Sequence, residues 1–242
     1  MSISPKDRLI VPLDYPSLDE ALELVGKMGE TISWYKVGLE LFSAAGPEAV
    51  RRVKELGKSV FLDLKYHDIP NTVAGACRMA VKTRADMFNV HVSGGAAMMR
   101  AAAEATAAEA AKMGIDLPIL LGVTVLTSLD REALENEVGI SVGESVAALV
   151  AGRAKLAMDA GLGGVVASPK EVERIREACG QTFHIVTPGV RPTWAATGDQ
   201  KRIATPADAI KMGADRIVVG RPITRADDPV EAAGKILEEI SQ

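Results

Sequence analysis

Cysteine is scarce in this chain: Cys77 and Cys179 are the only two in 242 residues, far apart and outside any CxxC pair. A disulfide framework and a cysteine metal motif are therefore excluded as organising devices. Each cysteine sits in a helical pattern beside alanine and apolar residues, where a small buried thiol is expected. This usage fits a reducing compartment, and the expected location is cytoplasmic. Histidine is as sparse. His67, His91 and His184 are scattered and no HExxH occurs, so no metal site is expected. Gly57-Lys58-Ser59 is not a phosphate loop, because Arg52 stands where its upstream glycine belongs. No apolar run reaches the roughly 18 residues of a membrane span. The opening MSISPKDRLIVPLDY is interrupted by Asp14, so no secretory signal is expected. The net charge of −4 provides no basic field to attract nucleic acid. No Gly/Ser/Pro linker divides the chain, and residues 1–242 are read as a single catalytic domain. The 48% apolar content suffices to bury a core without disulfides or metals.

What the sequence does contain is alternation. Short runs rich in Val, Ile, Leu and Phe read as strands at Leu9–Leu13, Trp34–Val37, Ser59–Lys65, Met87–His91, Ile119–Val123, Gly164–Ala167, His184–Thr187 and Arg216–Val219. Helical patterns follow them at Ser17–Lys27, Gly46–Leu56, Val73–Thr83, Ala96–Lys112, Val142–Asp159, Pro169–Ala178, Pro206–Lys211 and Val230–Ile240. The alanine-rich stretch 96–112 is a strong helix former rather than a linker. The acidic stretch 126–143 reads as a loop with a short helix at Arg131–Glu137. Strict strand–helix alternation implies parallel pairing with right-handed crossovers. Eight such units predict an α/β fold, the (β/α)8 TIM barrel. A doubly wound sheet is the alternative, but the glycine fingerprint expected after its first strand is replaced here by Asp14-Tyr15-Pro16.

Active sites of this barrel form where the strands end. The first strand ends at Asp14, the second carries Lys36, and the third ends Asp63-Leu64-Lys65, followed by Tyr66-His67-Asp68. Residues two apart on a strand share a face, so Asp63 and Lys65 point together into the mouth while Leu62 and Leu64 meet the helices. Lys36 can reach the same place. Asp63 and Lys65 alone could be a buried ion pair that only fixes the barrel, and Lys36 alone could reach solvent. Four charges at one mouth are expensive unless a ligand or a reaction uses them. A second constellation follows the last two strands, as Thr187-Pro188-Gly189-Val190-Arg191 and Gly220-Arg221. Glycine lets backbone N–H groups approach an anion, and the guanidinium fork suits phosphate oxygens. His91 reads as a hydrogen-bonded barrel residue rather than a base, and His67 as packing or capping the loop.

FLDLKYHDIPNT resembles the D-x-K-x-x-D-I-P-N-T signature of the orotidine 5′-phosphate decarboxylases. So do LDYP, WYKVGLEL, VTPGVRP, GDQKRI and VVGRPIT, in the family's order along nearly the whole chain. The resemblance implies a cofactor-independent decarboxylation of orotidine 5′-monophosphate to uridine 5′-monophosphate. It implies that Asp14 and Lys36 bind the ribose, with Lys36 completing a charge network. Asp63 lies beside the substrate carboxylate, and Lys65 protonates the ring carbon. Thr127 contacts the pyrimidine amide. Gln200, Arg221 and the Gly220 backbone hold the phosphate, with Pro188 and Arg191 at the same loop. It also implies a homodimer in which Asp68 and Thr72 serve the neighbouring subunit's site.

The seventh loop, from Arg191 to Gln200, is expected to close on the phosphate and exclude water. At its tip Trp194 reads as a packing residue rather than a lid contact. Two rivals stay open. A metal-dependent decarboxylase or synthase acting on a sugar phosphate would need carboxylates set for a divalent cation near the second strand, where Lys36 and Glu40 stand. A non-catalytic phosphate binder could keep the arginines without the lysine network.

Overall fold

The computed structural model describes residues 3–195 and 204–241. Eight strands form a closed barrel in sequence order: β1 (Leu9–Pro12), β2 (Trp34–Gly38), β3 (Ser59–Tyr66), β4 (Met87–His91), β5 (Ile119–Val123), β6 (Gly164–Val166), β7 (His184–Thr187) and β8 (Arg216–Val218). All pairs are parallel, and β8 closes on β1 through Leu9↔Ile217 and Ile10↔Val218. The TIM barrel expected from the alternation is the fold, and each strand lies within a residue of its expected bounds.

The period of two sorts the strand residues into two cores. Ile10, Trp34, Phe61, Met87, Leu121, Val186 and Val218 pack together inside the barrel. Leu9, Val11, Tyr35, Val37, Val60, Leu62, Phe88, Val90, Val165 and Ile185 belong to the larger core under the helices. Each fully buried side chain of this size contributes about 1.5–3 kcal/mol of transfer free energy. The inner plug has a second effect: it closes the barrel, so polar residues further along the same faces collect above it at the C-terminal mouth. At the opposite end Arg216 stacks over the Trp34 ring at 4.6 Å and donates through Nε to the Asp7 carbonyl at 3.1 Å.

Helix ends carry local signals. Ser17, Asp130, Ser145 and Thr205 each accept a backbone N–H of the following first turn. The helix expected from Val142 therefore begins at Val146, after its Ser145 cap. The helix expected from Val73 begins earlier, at Pro70, because proline is preorganised for a first turn. The stretch 169–178 splits into a 3-10 turn Pro169–Glu171 and a helix Val172–Cys179. Short helices at Pro5–Arg8, Leu39–Ala45 and Arg221–Thr224 were absent from the sequence reading. They are too short to show a periodic apolar face. Cys77 and Cys179 are both buried and free. Among the described residues, no helix is long and apolar enough to cross a membrane.

Candidate active site

Strands β2 and β3 and the loop after β1 bring alternating charges together. Lys36 Nζ lies 2.9 Å from Asp14 Oδ1 and 3.6 Å from Asp63 Oδ2. Lys65 Nζ lies 2.8 Å from Asp63 Oδ1. The order is Asp14, Lys36, Asp63, Lys65, two carboxylates against two ammoniums. Lys36 and Asp63 are sheltered, Lys65 is half-buried and Asp14 is open to solvent. Burial pushes the Asp63 carboxyl up. The Lys36 and Lys65 ammoniums, with hydrogen bonds from Lys65 and Asn89, outweigh that and hold it below the usual carboxylate range. Asp63 is thus a fixed anion between two cations at neutral pH.

The route by which Lys65 arrives differs from simple alternation. Leu62 pairs with Phe88 but Tyr66 pairs with Val90, so the register slips between them. Lys65 itself has φ +52°, a left-handed conformation that costs a side-chain-bearing residue about 1–2 kcal/mol. Leu62 is buried in the outer core and Leu64 packs against it, as expected. Asp63 follows the pleat, whereas Lys65 reaches the mouth through a bulge. Opposite the bulge stands Asn89, fully buried. Its Nδ2 donates to Asp63 Oδ1 at 2.7 Å and its Oδ1 accepts the Lys65 backbone N–H at 2.7 Å. Sequence reasoning missed Asn89. Its signal was an amide in the middle of the apolar run MFNVH, on the inward face with His91.

A cavity of about 180 Å³ opens beside the charges. Lys36, Asp63 and Lys65 supply its charged lining and Phe61, Val123, Val125, Leu126, Val166 and Val218 its apolar lining, and Thr127 and Pro188 line it as well. His91 stands next to this site on β4. Its Nδ1 accepts the Ser93 N–H at 3.3 Å and its ring stacks on His67 at 5.3 Å. Burial, with His67, Arg153 and Lys65 nearby, pushes His91 down to about 4, so the ring is neutral and a poor base at neutral pH. His91 was expected as a hydrogen-bonded barrel residue and His67 as a packing or capping one; the first accepts the Ser93 N–H and the second packs on its ring.

The remaining sequence candidates fall in two places. Pro188 and Gly189 follow β7, and the Arg191 N–H donates to the Ala204 carbonyl at 3.1 Å, which ties the root of the seventh loop. Gly220 caps the turn Arg221–Thr224, and Arg221 is exposed. Residues 196–203, Gln200 among them, lie outside the described residues, and with them half of the segment expected to close. Trp194 is exposed, and the Lys235 ammonium of the last helix, Pro229–Glu239, stands over its ring at 5.8 Å from the centroid. Asp68 and Thr72 are exposed, in the turn after β3 and in the first turn of helix Pro70–Lys82. The Asp68 carboxylate accepts the Ile69 N–H at 2.6 Å and is not a partner of Lys36, Asp63 or Lys65 within the chain. Among the described residues no three His, Cys, Asp or Glu side chains are grouped to hold a metal ion.

Known proteins share this arrangement of sequence and fold. The profile of the orotidine 5′-phosphate decarboxylase / HUMPS family matches residues 7–236. The orotidine 5′-phosphate decarboxylase of Moorella thermoacetica is 57% identical over 235 residues, covering 97% of this chain and 92% of its own. That of Syntrophomonas wolfei is 49% identical over 237 residues, covering 98% and 99%. The crystal structure of orotidine 5′-phosphate decarboxylase from Lactobacillus acidophilus superposes with a TM-score of 0.85 at 36% identity, over 97% of this chain and 99% of that one.

Proposed function

The chain belongs to the orotidine 5′-phosphate decarboxylase / HUMPS family and converts orotidine 5′-monophosphate to uridine 5′-monophosphate in pyrimidine biosynthesis, and we propose that the reaction runs at the array Lys36, Asp63 and Lys65. The bond from the pyrimidine ring to its carboxylate breaks, carbon dioxide leaves, and the electron pair stays on the ring carbon in an in-plane orbital. The ring π-system cannot absorb that charge. A cation at the reacting carbon is the direct remedy, and Lys65 Nζ supplies both the charge and the proton. The lysine is left as an amine and regains a proton from solvent. Asp63 holds Lys65 by the 2.8 Å contact and lies beside the departing carboxylate.

The cavity supports this division of labour. Its volume of about 180 Å³ is below the roughly 300–1,000 Å³ of ligand pockets in general. It takes a ring-sized group, and the rest of a nucleotide extends across the mouth. Thr127 faces the pyrimidine amide, and Asp14 and Lys36 the ribose hydroxyls. Pro188, Arg191, Gln200, Gly220 and Arg221 are assigned to the phosphate. Binding energy from that remote anion supports chemistry at the ring. We assign no cofactor and no metal to the reaction. One barrel spanning residues 1–242 acts in the cytoplasm on a small molecule, with neither nucleic acid nor membrane as partner. Its homodimer presents Asp68 and Thr72 of each subunit to the other's site, for which their exposure leaves them free.

The observation that carries this reading is the Lys65 ammonium paired with Asp63 at the edge of an apolar, ring-sized cavity. Lys65→Ala should abolish the ultraviolet absorbance change of orotidine 5′-monophosphate decarboxylation while circular dichroism stays native. Turnover retained in that variant overturns the assignment. Wild-type activity should survive a chelator. Activity lost to the chelator and restored by a divalent cation would instead favour metal-dependent chemistry on a sugar phosphate.

A further inference from the structure

We propose that Asn89 is a positioning residue for the decarboxylation, a single buried amide that fixes the Asp63 carboxylate and the backbone root of Lys65 together. The inference rests on the reading of Lys65 as the proton donor. It starts from the ladder between β3 and β4. Leu62 pairs with Phe88 and Tyr66 with Val90, so residues 63, 64 and 65 all stand opposite Asn89 alone. In a regular parallel ladder the neighbouring strand's carbonyls receive the N–H groups. Within this bulge the Lys65 N–H is out of that register, and the Asn89 side chain takes it at 2.7 Å.

The same amide reaches the carboxylate. Asn89 Nδ2 donates to Asp63 Oδ1 at 2.7 Å, the oxygen that also accepts Lys65 Nζ at 2.8 Å. The contacts close into a ring: Asn89 to the Lys65 backbone, along the lysine to Nζ, on to Asp63, and back to Asn89. Lys65 is held directly at its root and, through Asp63, at its tip. The two contacts also select one orientation of the amide, since the flipped group would set oxygen against carboxylate and N–H against N–H. The task requires one donor and one acceptor on a short planar group. Aspartate keeps the shape and the acceptor but loses the donor. Leucine keeps the bulk and loses both.

A structural role alone, filling the bulge, would alter folded fraction but not the chemistry of the carboxylate. The charged groups around Asp63 are Lys36 from β2 and Lys65 on β3, with Asn89 from β4. Among the described residues Asp14 pairs with Lys36 and not with Asp63, and His91 is near enough to Lys65 to feel its charge. Asn89→Asp and Asn89→Leu are compared with wild type for steady-state decarboxylation across pH, with melting temperature measured in parallel. The expected result is a fall in kcat of about a hundredfold, the scale of an ångström of misplacement, with KM little changed. In Asn89→Asp two carboxylates face each other and one keeps a proton to higher pH, so the acid limb of kcat moves up. Profiles that superpose on wild type, with kcat lost only in proportion to folded protein, overturn the inference. If either variant fails to fold, Asn89→Ser, smaller and able to admit water, carries the same comparison. Lys65→Ala is measured beside them. Turnover surviving there removes the Lys65 reading itself, whereas its loss combined with wild-type profiles at position 89 removes only the role of Asn89.

Discussion

A methyl group on Gly38 would lie 2.7 Å from Lys36 Nζ and 3.2 Å from Asp14 Oδ1. The first distance is shorter than any tolerated carbon contact, so something must move, and the free end of the lysine moves most easily. Gly38→Ala should therefore leave the melting temperature nearly unchanged and reduce kcat/KM by roughly tenfold or more, because orientation at the reacting centre is lost before packing is. Equal losses of stability and activity would argue against this account. His91 provides a second test at this scale. Its folded pKa of about 4 lies below the 6.5 of a free imidazole. As pH falls through 6.5 the unfolded chain gains a proton that the native ring refuses until about 4, so native stability declines across that window. Urea midpoints measured through it should fall less steeply in His91→Phe, which keeps an aromatic ring against His67 without the titration.

Two elements of the barrel are tied in the same way. Asp86, just before β4, accepts the Val60 N–H from β3 and the Lys54 ammonium, each at 2.7 Å. Asp215, just before β8, accepts the Ile185 N–H from β7 and the Arg176 guanidinium, each at 2.7 Å. Each aspartate thereby staples a strand to the one before it and to a helix at the N-terminal end of the barrel. The two staples differ in burial, since the side chain of Arg176 is 8% exposed and that of Lys54 is 28%. Removing the carboxylate leaves a buried cation with backbone carbonyls but no counter-charge in one case, and a partly hydrated cation in the other. Asp215→Ala should cost about 3 kcal/mol in urea unfolding, and Asp86→Ala less, with both enzymes still active when folded. The elements themselves were legible in the sequence because strands of three to eight residues set in apolar runs are strong signals. The short helices Leu39–Ala45 and Arg221–Thr224 were not, since one or two turns carry no periodicity to read.

At the scale of the whole molecule, Asp68 and Thr72 stand exposed beside Ile69, itself 67% exposed. A homodimer with shared sites makes a quantitative prediction. Lys65→Ala and Asp68→Ala proteins, each inactive alone, should regain about a quarter of wild-type activity when unfolded and refolded together in equal amounts, because half of the dimers are hybrids and each hybrid holds one intact site. No recovery, with dimers present in sedimentation, would place Asp68 in its own subunit's site or in none.

The chain by itself determined the barrel and the cast of its charges. Alternating apolar runs leave a parallel closed sheet as the way to bury both faces of every strand, and charges at strand ends then have only the mouth to occupy. What the tertiary structure alone decided is how those charges are held. Pleat alternation put Lys65 beside Asp63 on an ideal strand, but the folded chain delivers it through a left-handed residue and a slipped register. That conformation is unfavourable for an isolated lysine and persists because a residue 24 positions later, Asn89, supplies the hydrogen bond the ladder no longer gives. A contact between distant strands has no local signature, so Asn89 read as one polar interruption in a strand until the barrel closed around it.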